Sequence, residues 1–256
     1  MTRMHTLLVA MSLLVAPLAG AAQGPDALNL VNRAGEQRML SQRVAKSFAQ
    51  IGLNVQPMAA KQEFDAAVAR FEENLRVIEQ GAGEAAKASL ERLRQTWAPL
   101  RQATRGQPRR ESAIWVAHQA DEVLAAAEVL VRNVQNAETG STGRLVAQAG
   151  RARMLSQRIA KSYLLISWGD TSDATRAEMD TAVNEFAGTL AALRQRSENT
   201  PEIQRELDEM AQHWEWMQTA LAAEGASSYR LIVTEAAEAI LASADRTTRL
   251  YENLPR

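Results

Sequence analysis

Arg38 and Arg43 lie five residues apart in AGEQRMLSQRVAK, which runs from Ala34 to Lys46. Arg153 and Arg158 lie five apart in AGRARMLSQRIAK, from Ala149 to Lys161. The two segments agree at ten of thirteen positions across an offset of 115 residues. The chemistry available to one arginine pair is therefore available twice. A guanidinium is a planar fork of N–H donors that matches a planar oxyanion in two-point geometry. At ~4 Å and an effective dielectric near 20, such a contact gains on the order of 4 kcal/mol before desolvation is subtracted. Near a helix interface the arginines need acceptors, because an unpaired buried charge is costly. Acids on other helices can supply them as intramolecular salt bridges. A small anion held jointly by the two copies can supply them too.

The surrounding charge is one-sided. Between Asp26 and Glu63 the only acid is Glu36, against Arg33, Arg38, Arg43, Lys46 and Lys61. Between Glu138 and Asp170 there is none, against Arg144, Arg151, Arg153, Arg158 and Lys161. The whole chain has a formal net charge of −1, so the excess is local. That balance argues against nucleic acid, which calls for a basic surface. Three histidines and no cysteine exclude disulfides and thiolate sites and argue against a metal centre. No nucleophile motif, glycine-rich phosphate loop or paired-carboxylate signature is present, so neither catalysis nor a cofactor is expected. His213, with Trp214, Glu215 and Trp216, is the one catalytic-looking cluster, and tryptophans at that spacing are read as packing residues.

Helical periodicity dominates the chain. The pattern predicts helices near 26–51, 59–80, 84–104 and 109–136, and a second set near 144–168, 173–198, 201–223 and 228–252. Glycine and proline punctuate them, and Pro99 should kink or shorten the third helix. The repeat extends past the arginine segments. At the offset of 115, Asp65 matches Asp180, Val68 matches Val183, Phe71 matches Phe186 and Leu75 matches Leu190; at 117, Trp97 matches Trp214 and Leu124 matches Leu241. The expected fold is all-α: two tandem antiparallel four-helix bundles, residues 23–137 and 138–256, packed as an intramolecular pseudo-dimer in a monomeric chain. AETGSTG at 137–143 would form the joint, either as a tight reversal or within one unbroken helix from 109 to 168.

On a helical wheel, Leu30, Leu40, Val44, Phe48 and Ile51 share a core arc. Arg38 falls among Val31, Ala34, Gly35, Ser41, Ala45 and Ala49, small residues that let another helix approach. Asn32, Met39, Gln42, Arg43 and Lys46 follow on a polar face.

Residues 1–22 read as a cleaved secretory signal peptide. Arg3 and His5 precede a short apolar run, Leu7–Ala16, and small residues at 19–22 offer cleavage sites. The run is shorter than the roughly 20 residues needed to span a bilayer, and no later stretch is long and apolar enough. An exported, periplasmic protein without membrane insertion is expected.

The segments NRAGEQRMLSQRVAK, Asn32–Lys46, and AQAGRARMLSQRIAK, Ala147–Lys161, resemble the opening signature of the PilJ-type sensor domain, the N-terminal domain of type IV pili methyl-accepting chemotaxis transducers, related to the NarX-type nitrate/nitrite sensor domains. The resemblance implies a dimeric four-helix bundle that holds nitrate or nitrite on the two-fold axis between first helices. Its Ala-Gly-x-x-Arg-Met-x-Ser-x-Arg pattern falls on Ala34, Gly35, Arg38, Met39, Ser41 and Arg43, and on Ala149, Gly150, Arg153, Met154, Ser156 and Arg158. It implies that Arg43 and Arg158 contact the anion, that backbone near Gly35 and Gly150 lines the pocket, and that Arg38 and Arg153 support it. Asn32, Gln42 and Gln157 complete the expected ligand-facing set. Asn32 has Ala147 as its counterpart and Glu36 has Arg151, so the halves differ at the pocket edge. The family's transmembrane helices and output domain are not seen in this sequence, so a membrane-bound receptor or kinase is the implied partner. The competing expectation is a structural adaptor that keeps the bundle without a ligand, its arginines paired with acids such as Glu63, Asp65 or Asp180.

Overall fold

The computed structural model describes residues 27–135, 140–222 and 226–255; the expected signal peptide lies outside them. The described chain is all-α. Helices α1 (Ala27–Gly52), α2 (Pro57–Gly81), α3 (Glu84–Ala103) and α4 (Arg110–Gln135) form the first half. Helices α5 (Gly140–Ser167), α6 (Asp173–Arg194), α7 (Pro201–Leu221) and α8 (Arg230–Glu252) form the second, with one 3-10 turn at Ser227–Tyr229. Within each half the first helix packs on the second and fourth, and the third packs on the fourth. Between the halves, α1 packs along α5, with α4 touching α5 and α8 touching α1.

Each bundle closes around a matching aromatic pair. Phe71 stacks on Trp97 with centroids 3.8 Å apart, and Phe186 meets Trp214 at 4.5 Å. Such contacts add to the area burial of the rings themselves. Trp214 therefore belongs to the core, while Glu215 and Trp216 face solvent. Leu30, Leu40, Val44 and Phe48 are buried, as the wheel requires, and Ile51 is half-buried.

Three details depart from the sequence pattern. Pro99 does not shorten α3, which runs on to Ala103; the proline lies on the solvent side, where water can satisfy the carbonyl it frees. Helix α6 stops at Arg194 rather than near 198, because the Asn199 side chain donates to the carbonyl of Leu193 and Thr200 caps α7. Of the expected joint at 137–143, residues 140–143 already belong to α5, with Gly143 buried, and 137–139 lie outside the described residues. Gly140 has a φ of 54°, which interrupts a regular right-handed helix at that point.

At the opposite end of the halves, α1 and α5 finish side by side. A Cβ on Gly52 would come within 2.1 Å of the Trp168 ring and 2.7 Å of the Pro108 carbonyl oxygen. Only glycine allows that approach.

Candidate functional site

Helices α1 and α5 are the most enclosed elements and also carry the polar motif. Nearly every residue from Val31 to Gln50 is buried, Gln37, Arg38, Gln42 and Lys46 included, and so are Arg153, Gln157 and Lys161 on α5. A helix buried on all sides is ordinarily apolar. These two remain polar because their polar residues meet partners: the glutamines within their own half, and the arginines and lysines also across the interface between the halves.

Arg38 and Arg153 come together at its centre. A Cβ placed on Gly150 would lie 3.1 Å from Nη2 of Arg153 and 3.3 Å from Nη2 of Arg38; one placed on Gly35 would lie 3.5 Å and 3.7 Å from Nη2 of Arg38 and Arg153. Both guanidinium tips thus meet over both glycines, and at Gly150 a side chain would press into them. The Arg38 side chain is 4% exposed and that of Arg153 0%. Each Nη1 donates to an acid of its own half: Arg38 to Glu128 at 3.2 Å and Arg153 to Asp245 at 2.9 Å. Each Nη2 donates across to the other half. Arg38 reaches the backbone carbonyl of Ala147 at 2.9 Å, and Arg153 reaches Oδ1 of Asn32 at 2.6 Å. Asn32 and Ala147 are counterparts, so one helix supplies a side-chain acceptor and the other a main-chain acceptor at the same place. The Nε of both arginines is buried without a hydrogen-bond partner. Burial lowers the pKa of Arg38, and the charges of Arg151 and Arg153 add to that against the upward pull of Glu128.

Arg43 and Arg158 are placed differently. Arg43 pairs with Glu238 of α8, and Arg158 with Glu178 of α6 at 2.8 Å. Beside them, Lys46 bridges Glu63 and Glu238, and Lys161 bridges Glu178 and Asp121. Both lysine side chains are 0% exposed. Each lysine ties an acid of its own half to one of the other half, so the pair clamps the interface twice. Gln42 donates to the carbonyl of Ala120 and to Asp121, and Gln157 to the carbonyl of Ala237, which fixes both amides.

None of the acids named from the sequence answers a motif arginine, and of them only Glu63 meets a motif lysine. Asp65 pairs with Lys61 on the surface, Glu63 holds Lys46, and Asp180 is exposed. The acids in use are Glu128 and Asp245, Asp121 and Glu238, and Glu63 and Glu178. All are repeat counterparts, the first two pairs at the drifted offset of 117 and the third at 115. The repeat register was the signal that could have found them. Lys46, on the wheel's polar face, and its repeat counterpart Lys161 carry no site role in the sequence pattern.

Two further pairs exchange sign between the halves. Glu36 accepts from Arg70 at 2.8 Å within the first half, and Arg151 donates to Glu185 at 2.8 Å within the second. Arg70 and Glu185 are counterparts. Glu36 also faces Arg153 at 3.8 Å, and Arg151 also meets Glu128 at 3.3 Å. Among the described residues no group of three or more histidine, cysteine, aspartate or glutamate side chains could hold a metal ion.

The chain is a duplicated all-α unit with a paired arginine segment between the first helices of its two halves. The family described as "Type IV pili methyl-accepting chemotaxis transducer N-term" matches residues 23–130 and again 134–252. The chain belongs to this family and carries two tandem copies of its domain, a periplasmic sensing domain of chemotaxis transducers. No described helix is long and apolar enough to cross a membrane. No match is found among curated proteins or among solved structures.

Proposed function

We propose that this is an exported sensor-type protein whose halves act as an internal pseudo-dimer, taking a small oxyanion, nitrate or nitrite, between α1 and α5. The convergence of two buried arginines over Gly35 and Gly150, each with an unpartnered Nε, carries the reading. Two like charges enclosed together repel, and a monoanion between them relieves that repulsion while accepting the unused N–H donors. In this reading Arg38 and Arg153 contact the anion. Arg43 and Arg158 act at one remove, through Glu238 and Glu178. Glu128 and Asp245 compete with the anion, but their side chains are 24% and 30% exposed and can turn toward water. The loaded protein then presents its state to a membrane-bound receptor or kinase.

One observation favours the adaptor reading: each Nη1 already meets a carboxylate. Thermal unfolding decides between them. A ligand that binds only the folded state raises the melting temperature by mass action. Nitrate or nitrite should raise it well above chloride at equal ionic strength, and Arg38→Lys or Arg153→Lys should each remove most of the gain, since lysine keeps the charge without the fork. Identical behaviour of nitrate and chloride up to tens of millimolar would leave the adaptor reading standing.

A further inference from the structure

A cavity of about 520 Å³ lies off the pseudo-two-fold axis, between α1 and α2 of the first half and α8 of the second. Three ion pairs frame it: Arg43 with Glu238, Arg70 with Glu36, and Arg249 with Asp245. Its apolar lining includes Met39, Leu40 and Leu241, with Ala66 and Ala242 at its rim. The carboxylates are oversubscribed. Glu238 also holds Lys46, Asp245 also holds Arg153, and Glu36 also accepts from Asn74. The arginines are not: Arg43 keeps a buried Nε with no acceptor, and Arg249 spends only one nitrogen on Asp245. Unspent donors above apolar lining call for an acceptor with a tail. The volume falls in the range of small-molecule sites, which combine mostly apolar walls with a few placed polar groups.

We propose that this groove binds a small aliphatic monocarboxylate, its carboxylate on Arg43 and its chain along Met39, Leu40 and Leu241. The site is separate from the arginine pair over the glycines. It draws on both halves, so its occupancy would register how α8 sits on α1.

Calorimetric titration of the full chain with acetate, butanoate and hexanoate tests it. Affinity should rise about fourfold per methylene buried, and hexanamide, which lacks the charge, should not bind. Ala242→Trp, at an exposed rim position, should abolish hexanoate binding, while Ala125→Trp, its counterpart on the other side, should leave it intact. Arg43→Gln should weaken hexanoate at least tenfold. Arg38→Lys should spare hexanoate even where it abolishes nitrate binding, so the two sites fail separately. Equal affinity for acetate and hexanoate, or equal damage from the two tryptophan variants, overturns the proposal. So does the absence of hexanoate binding to the unmodified chain.

Discussion

The segments at Ala34–Lys46 and Ala149–Lys161 share most of their residues and do not share their surroundings. Arg153 is the more enclosed arginine. It holds Asp245, faces Glu36 and donates to the side chain of Asn32. Arg38 instead shares Glu128 with Arg151 and reaches only the backbone of Ala147. The sign exchange at positions 36 and 151, answered at 70 and 185, leaves acids gathered on the Arg153 side and arginines on the Arg38 side. In a pair of identical chains every change appears twice about the axis. In one chain each half can change alone, and this interface has used that freedom.

The comparison can be broken most directly at the arginines. Arg153→Ala should cost about 3 kcal/mol in denaturant unfolding, because it strips donors from Asn32 and Asp245 in a closed site. Arg38→Ala should cost about half as much: Glu128 keeps Arg151 as Asp245 keeps Arg249, but Arg38 leaves only the Ala147 carbonyl behind, whereas Arg153 leaves the Asn32 side chain and Glu36. Equal costs would mean that the two environments are energetically alike. The charge exchange gives the next effect. Glu36→Arg places a cation against Arg153 and should cost about 2 kcal/mol. Adding Arg70→Glu, which copies the second half's arrangement, should recover about 1 kcal/mol through the restored pair. No recovery would show that the exchanged pairs are not coupled.

The glycines sharpen the contrast at smaller scale. Gly35→Ala meets both guanidinium tips at ordinary contact distance, so the helix-propensity gain of about 0.5–1 kcal/mol should show as added stability. Gly150→Ala presses into both tips at 3.1 and 3.3 Å and should add none, while weakening any anion bound there. A gain at both positions would mean that the tips move freely.

The smallest expected effect is in pH dependence. Burial raises the pKa of Glu252, with Glu36 and Asp245 adding to it, against the hydrogen bond from Asn32 and the charge of Arg153. Its stabilising contribution is therefore complete below the ordinary glutamate value of about 4.3 and is lost as pH rises through the higher folded value. Glu238 and Glu178 behave oppositely. Burial pushes them upward, but the nearby lysine and arginine charges outweigh it and hold both below the ordinary range. Their contribution is present above about pH 4.3 and is lost as pH falls through the lower folded values. Glu252→Gln should then lose less stability than the unmodified chain between pH 4 and 7, with the acid limb below pH 4 unchanged.

Helix positions and the repeat were readable because they follow periodicity and register; that each Phe would meet the Trp of its own half was not, because that contact depends on how the helices pack. Phe71 and Phe186, and Trp97 and Trp214, take matching places in the two halves, as the offsets require. The wheel also put Arg38 on the small-residue face. Which arginines would converge was not readable in the same way. Arg38 and Arg43 stand about 140° apart on the wheel, and only the approach of α5 and α8 decides which of them faces Arg153 and which faces Glu238. The acids were obscured for a related reason. Asp65 and Asp180 are conspicuous in the repeat but point to solvent, whereas Glu128 and Asp245 lie on α4 and α8, about 90 residues from their partners. Sequence separation says nothing about which fourth-helix turn comes level with the glycines. The early stop of α6 turned on Tyr251, more than 50 residues away, whose hydroxyl donates to the Asn199 oxygen.

The α1–α5 interface joins two stretches of one polypeptide, and that alters its response to dilution. A cleft between separate chains empties as the chains part at low concentration. Here the partner surface stays at the effective concentration set by the tether, on the order of millimolar for a short connection. Any ligand seated between α1 and α5 would then have an affinity that does not change with the amount of protein. A cell holding only a few copies would still hold complete sites.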